Sequence, residues 1–160
     1  MAQRKSEYDR RSFHHNYYER FIYHIIIKKK DGFPDFGAIR GKVNGNQCEK
    51  APYTFPFDSG RAIIDGLKFF ESIYPEIRKF QYVLMPDHLH LIIYKTEKNN
   101  IHLDDYINEL KSISCNIYNK RISANFSHED MFQYGYTDKA LYDKVSLDNW
   151  INYVRKKSIS

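Results

Sequence analysis

The stretch Met85-Pro86-Asp87-His88-Leu89-His90-Leu91-Ile92-Ile93-Tyr94 decides how the rest of the chain is interpreted. Pro86-Asp87 is a turn signal, and it joins this stretch to the apolar run Phe80–Met85, so the two runs are predicted to be paired strands. Side chains alternate between the two faces of a strand, which places His88 and His90 on one face. The alternate residues face a core and are Leu89, Leu91 and Ile93.

The histidine pair is a candidate site. Two imidazoles on one strand face can hold a divalent cation or a phosphate. For an isolated His-x-His motif, two histidines on the wet face of a strand would be the better interpretation. Here His88 and His90 directly follow a turn and begin a strand whose other face is apolar, which favours a site.

Length and composition indicate one domain with its own core. The chain has 160 residues, of which 42% are hydrophobic, and it contains no apolar run long enough to span a membrane. The polar N-terminus resembles no secretion signal, and Cys48 and Cys115 lack motif spacing, so both are expected to be reduced thiols of a cytoplasmic protein. We predict a basic extension at residues 1–20 and a single domain at residues 21–160.

The charge pattern points to nucleic acid. The formal charge is +5 and there are 14 tyrosines. Cations attract phosphates and aromatic rings stack on bases, so this composition suits a single-stranded nucleic acid. The N-terminal basic residues and Lys28-Lys29-Lys30 are either phosphate contacts or solvated charges.

The pattern of elements predicts an α+β fold. Predicted strands are Phe21–Ile27, Ala38–Val43, Ile77–Met85 and His88–Tyr94, residues 50–58 form a loop, and residues 131–141 form an aromatic-rich loop with room for a short strand. Predicted helices follow a cap at Asp58 or Ser59 as far as Pro75, span Leu103–Lys120 with Lys111 on the polar side, and span Leu147–Lys157. This order predicts an antiparallel sheet with helices packed on one face, resembling a ferredoxin-like fold.

Tyr153 is a second candidate residue. At 100° per residue it lies on the flank of the apolar face of the last predicted helix, so its hydroxyl can be exposed. The alternative is a boundary tyrosine whose hydroxyl meets only water.

The motif at residues 85–90 resembles the signature of the HUH single-tyrosine transposases, and most of all the REP-associated tyrosine transposase type. Further segments resemble the family pattern in the same order: Arg11-Ser12, Tyr17/Tyr18, Phe36-Gly37-Ala38-Ile39, Gln133–Lys139 and Tyr153–Ser158. The resemblance implies that Tyr153 attacks single-stranded, often hairpin-bearing, DNA and forms a 5′-phosphotyrosine. It implies that His88 and His90 hold Mg²⁺ or Mn²⁺ as catalytic ligands.

With DNA as the implied partner, the protein is expected to associate with the nucleoid when bound. Monomer and homodimer both stay open. The candidate DNA contacts are Arg11, Lys28, Lys29, Lys30, Lys111, Tyr136, Lys139 and Lys157.

Two departures from the family pattern support an alternative. Lys139 stands where the family has histidine, and Lys157-Ser158 stands where it has Asn-Pro. A charged lysine cannot ligate a metal, so a domesticated, inactive relative that binds single-stranded DNA is the second hypothesis. A ferredoxin-like RNA-binding module with exposed aromatics is the third, but it gives no reason for the histidine pair.

Overall fold

The computed structural model describes residues 15–41, 43–44, 47–48, 52–141, 148–149 and 151–152. Its strands are β1 (Phe21–Lys28), β2 (Gly37–Arg40), β3 (Val43–Asn44), β4 (Gln47–Cys48), β5 (Tyr53–Pro56), β6 (Ile77–Leu84), β7 (His88–Lys95) and β8 (Thr137–Leu141). Its helices are α1 (Asp58–Ile73), α2 (Leu103–Ile122) and the single turn α3 (His128–Met131).

The main sheet has four antiparallel strands in the order β6-β7-β1-β8. Helix α1 lies between β1 and β6 in the sequence, and α2 lies between β7 and β8. This is the βαββαβ order of a ferredoxin-like fold, and it confirms the predicted α+β class. The strand foreseen within residues 131–141 is β8, which pairs with β1 at the sheet edge.

One face of the sheet carries the hydrophobic core. Alternate side chains of the two central strands enter it and are almost fully buried: Tyr23, Ile25, Ile27, Leu89, Leu91 and Ile93. Helices α1 and α2 cover these side chains with an apolar stripe that includes Ile63, Leu67, Ile107 and Leu110. Each fully buried aliphatic side chain contributes about 1.5–3 kcal/mol, so the intervening residues, His88 and His90 among them, are held on the opposite face.

Three details differ from the sequence prediction or add to it. Residues 50–58 are not all loop, because β5 pairs with β2 in a separate two-stranded sheet. The N-cap of α1 is Phe57, and it makes no side-chain cap bond, so the predicted cap at Asp58 or Ser59 is wrong. Tyr17 lies within the predicted extension of residues 1–20 and is buried in the core.

In the part of the chain that the structure describes, no helix has the length and apolar character needed to cross a membrane.

Candidate active site

The turn between β6 and β7 is anchored by backbone hydrogen bonds. Met85 N donates to His88 O at 2.8 Å and closes the turn. Two neighbouring segments donate to its carbonyls, with Phe36 N to Pro86 O at 2.7 Å and Lys29 N to Asp87 O at 2.8 Å. The first residue of β7, His88, therefore has a fixed backbone position.

The strand register brings a third histidine to the pair. Strand β1 lies antiparallel to β7, with Lys28 opposite His88 and Ile26 opposite His90. His24 lies opposite Ile92, so it is the diagonal neighbour of His90 on the same face. Both His24 and His90 are buried, with 4% and 2% of their surface exposed.

The three imidazoles form a continuous chain that ends on a carboxylate. His24 Nε2 lies 3.2 Å from His90 Nδ1, and His90 Nε2 lies 3.0 Å from His88 Nε2. His88 Nδ1 donates to Asp87 Oδ1 at 2.6 Å. The His24 and His90 rings are parallel within 1°, with centroids 5.4 Å apart. Each end of the histidine pair therefore has a partner for its outer nitrogen.

Burial and charge set the ionisation at both ends of this chain. Burial, with the nearby Lys139 second, lowers the pKa of His24 to about 4, so its imidazole is neutral at pH 7. The hydrogen bond from His88 is the main cause that lowers the pKa of Asp87, so its carboxyl is ionised there. A neutral imidazole nitrogen and a carboxylate oxygen can each accept a hydrogen bond from an N–H group.

His88 and His90 can hold a divalent metal ion when each ring carries its proton on Nδ1 and leaves Nε2 free. Two adjacent ligands about 2.1 Å from an octahedral ion lie about 3.0 Å apart, which matches the separation of the two Nε2 atoms. Both Nε2 atoms must then be free of protons, and the ring protons must lie on Nδ1, where Asp87 and His24 can accept them. Among the described residues, no group of three His, Cys, Asp or Glu side chains is arranged to hold a metal ion.

His24 was missed by the sequence analysis. It lies in the middle of β1 within the run Ile22–Ile27, where a lone histidine carries no motif. Its alternation with Tyr23 and Ile25 would have placed it on the polar face of the strand. Its nearness to His90 depends on the pairing of β1 with β7, which no local pattern specifies.

The three lysines of residues 28–30 differ from one another in exposure and in hydrogen bonding. Lys28 is exposed and lines a cleft with His88. Lys29 holds its own loop, because its Nζ donates to Phe33 O and lies 3.7 Å from Asp35 Oδ1. Lys30 is exposed, and so is Lys139, which lies opposite His24 on β8.

Two other predicted contacts are buried. Lys111 is only 3% exposed, and its Nζ donates to Gln133 O at 3.1 Å and Gly135 O at 2.7 Å. Its predicted place on the polar side of the helix is therefore wrong. Tyr136 is 8% exposed and donates its hydroxyl to Asp104 Oδ1 at 2.5 Å. Both side chains support the segment before β8 from inside, and no observation supports either as a DNA contact.

Arg11, Tyr153 and Lys157 lie outside the described residues. Residues 148, 149, 151 and 152 are helical, as predicted for this part of the chain. Ile151 packs on a small apolar cluster of Val83, Ile92 and Leu141. Ile92 belongs to the same face of β7 as His88 and His90, so Ile151 lies on the histidine side of the sheet.

These features define a ferredoxin-like α+β protein with a histidine pair at the start of a central strand. The chain belongs to the IS200-like transposase family, since the family model described as "Transposase IS200 like" matches residues 71–157, more than half of the sequence. No curated protein matches the chain.

A solved structure of a REP-associated tyrosine transposase bound to a REP hairpin has a similar fold. Its TM-score is 0.54 at 12% sequence identity, and the match covers 90% of this chain and 70% of that one. At this identity the similarity shows the shared fold alone.

Proposed function

We propose that this transposase cleaves and rejoins single-stranded, hairpin-bearing DNA through a covalent bond to Tyr153, with His88 and His90 as ligands of Mg²⁺ or Mn²⁺. The family match includes the histidine motif and extends beyond Tyr153. The observation that carries the proposal is the pair of Nε2 atoms that face each other at 3.0 Å on the side of the sheet where Ile151 packs.

The family match supports Tyr153 as the nucleophile, because it extends past this residue to residue 157. Ile151 contacts the cluster that contains Ile92, and Ile92 is two residues from His90 on one strand face. The proposal therefore assigns the nucleophile to the part of the sequence that directly follows a residue packed on the histidine side of the sheet.

The proposed reaction is a transesterification. The Tyr153 oxygen loses its proton and forms a bond to phosphorus, while the bond from phosphorus to the 3′ oxygen breaks. The released 3′ oxygen takes up a proton and becomes a free 3′ hydroxyl. The product is a 5′-phosphotyrosine, which preserves the bond energy for rejoining. A phenol has a pKa of about 10 and needs help to attack. A bound metal would polarise the scissile phosphate and offset its developing charge.

The residues around the pair orient it. Asp87 accepts the Nδ1 proton of His88, and His24 is in position to accept that of His90. Such partners fix the tautomer and ring orientation of metal-binding histidines. Imidazole suits Mn²⁺ better than Mg²⁺, so we expect Mn²⁺ to bind more tightly.

The exposed lysines give the site its attraction for DNA. Lys28 lies opposite His88, and Lys139 lies two rows further along the same face. We also propose that the protein is cytoplasmic and associates with the nucleoid when it is bound to DNA.

The test uses a single-stranded hairpin oligonucleotide with Mn²⁺, analysed on a denaturing gel. A label at the 3′ end should migrate with the protein, and a label at the 5′ end should appear on a shorter free fragment. Tyr153→Phe should abolish the adduct and keep DNA affinity, while the matched hydroxyl deletion Tyr18→Phe should form it normally. An adduct that persists in Tyr153→Phe would show that another residue is the nucleophile.

The metal ligands are tested separately. Replacing His88 and His90 with Ala should abolish Mn²⁺ binding in calorimetry and leave the circular dichroism spectrum unchanged. Unchanged affinity in this double variant would rule out the site.

A second function, DNA binding without cleavage, is favoured by one observation. Lys139 occupies the position of the family histidine, and it lies opposite His24 on the histidine face. If the native protein binds hairpin DNA but forms no adduct with either metal, this function replaces the first.

A further inference from the structure

The segment Gln133–Gly135 connects α3 to β8 next to the histidine pair. It borders three clefts that share lining residues. The first, of about 470 Å³, is lined by His88, Lys28, Lys29 and Gln133, and also by the acidic side chains of Asp31, Asp35 and Asp87. The second, of about 150 Å³, contains Lys28, Gln133 and Tyr134, and the third, of about 420 Å³, contains Gln133, Tyr134 and Lys30. Gln133 lines all three clefts, so the cleft that contains His88 and the two that contain Tyr134 adjoin the same residue.

The backbone of this segment is held from both sides. Buried Lys111 donates to the carbonyls of Gln133 and Gly135. Gln133 N donates to Lys28 O at 2.9 Å, which attaches the segment to the end of β1. The Tyr136 hydroxyl donates to Asp104 and anchors the next residue. A binding segment fixed in this way loses little freedom when a ligand arrives.

Tyr134 differs from the aromatic residues on either side of it. Phe132 and Tyr136 are 3% and 8% exposed and belong to the core, whereas Tyr134 is 42% exposed. The anchored backbone thus exposes the ring of Tyr134 in two clefts that share Gln133 with the cleft of His88. An exposed ring on a rigid backbone is the usual platform for an unpaired base.

We propose that these clefts bind the nucleotide next to the scissile phosphate, with its base stacked on Tyr134. The inference rests on the proposed function, because that function supplies the scissile phosphate at His88 and His90. Lys28 and Lys30 are exposed on the two sides of the segment and can contact the flanking phosphates. The ligand is single-stranded, because a base within a duplex is already stacked on both faces.

The test uses single-stranded oligonucleotides that carry 2-aminopurine at successive positions, whose fluorescence falls on stacking. At one position the native protein should quench the probe. Tyr134→Ala should remove this quenching and weaken binding about tenfold. Tyr134→Phe should keep both properties, and Tyr134→Leu, which keeps apolar bulk without a ring, should behave like Ala.

Tyr18→Ala is the matched control. Tyr18 is 38% exposed, and its carbonyl accepts from Lys95, at the end of β7 far from His88. This variant should bind and quench as the native protein does. A circular dichroism melt of each variant verifies the fold.

Unchanged quenching and affinity in folded Tyr134→Ala would overturn the inference, and so would full rescue by Tyr134→Leu. The two proposals fail separately. If no adduct forms but quenching depends on Tyr134, only the cleavage proposal is lost. If the adduct forms and Tyr134→Ala has no effect, only the stacking inference is lost.

Discussion

The two faces of β1 and β7 are built from alternating residues of the same strands, yet they differ in chemistry more than in burial. On the helix-covered face Ile25 and Leu91 are 0% and 1% exposed. On the other face His24 and His90 are 4% and 2% exposed. The hydrocarbon face needs only close packing. The imidazole face needs a hydrogen-bond partner for each ring nitrogen, because an unpaired buried polar group costs free energy. Burial therefore stabilises the fold on the helix-covered face, whereas on the histidine face it holds the hydrogen-bonded imidazoles in a fixed arrangement.

The largest expected effect is a loss of stability from a substitution on the helix-covered face. Leu91→Ala should lower the free energy of unfolding by about 2–5 kcal/mol, since it removes buried methyl groups and leaves a cavity. Urea unfolding measures this loss. The control Ile73→Ala changes a side chain that is 42% exposed and should cost less than about 1 kcal/mol. Equal losses in the two variants would contradict the assignment of the core face.

Lys111 is a buried polar side chain on the helix-covered side of the sheet, and it tests whether burial there requires hydrogen-bond partners as it does on the histidine face. Lys111→Met removes the donor to two carbonyls and should cost about 1–3 kcal/mol, whereas Lys120→Met, at an exposed position of the same helix, should cost little. Urea unfolding and the salt dependence of DNA affinity are measured together. If Lys111→Met keeps full stability but reduces the salt dependence, Lys111 contacts DNA as the sequence suggested.

The histidine face is tested at its buried end. His24→Phe keeps an aromatic ring but removes the acceptor for His90 Nδ1, so Mn²⁺ affinity should fall about 10- to 100-fold. The free energy of unfolding should fall by about 1–3 kcal/mol, because the buried Nδ1 of His90 loses its hydrogen-bond partner. Calorimetry of His24→Phe is compared with His128→Phe, a half-buried histidine of α3. His24→Gln, whose amide oxygen can accept the hydrogen bond from His90 Nδ1, should recover part of the Mn²⁺ affinity. Equal Mn²⁺ affinity in His24→Phe and the native protein would exclude a role for His24 in orienting His90.

The smallest effect is expected at the exposed end. Asp87→Asn keeps an oxygen that can accept from His88 Nδ1 but removes the charge, so Mn²⁺ affinity should fall less than about tenfold. Asp58→Asn, a carboxylate paired with Arg61 on α1, is the control. A loss at Asp87 larger than that of His24→Phe would reverse the proposed order of the two partners.

Much of the fold was predictable because its signals are local. The turn at Pro86-Asp87 and the alternation after it specify the β6–β7 pair and the face of both histidines. The strand β5 was missed because Pro52 and Pro56 are typical of loops, whereas this short strand pairs only with β2 outside the main sheet. Lys111 was misplaced because a helical pattern treats lysine as polar, and the two carbonyls that hold it come from residues 22 and 24 positions away.

By itself the sequence determined the α+β class, the strand face that carries His88 and His90, and the resemblance to the transposase family, since each depends on residues close together in the chain. Only the tertiary structure decided that His24 continues the histidine chain, that Lys111 and Tyr136 support a segment from inside, and that Ile151 packs on the histidine side. The physical reason is that these three contacts depend on strand register and packing between distant segments. The contact between His24 and His90 spans 66 positions, and no periodicity within one segment can specify a partner in another.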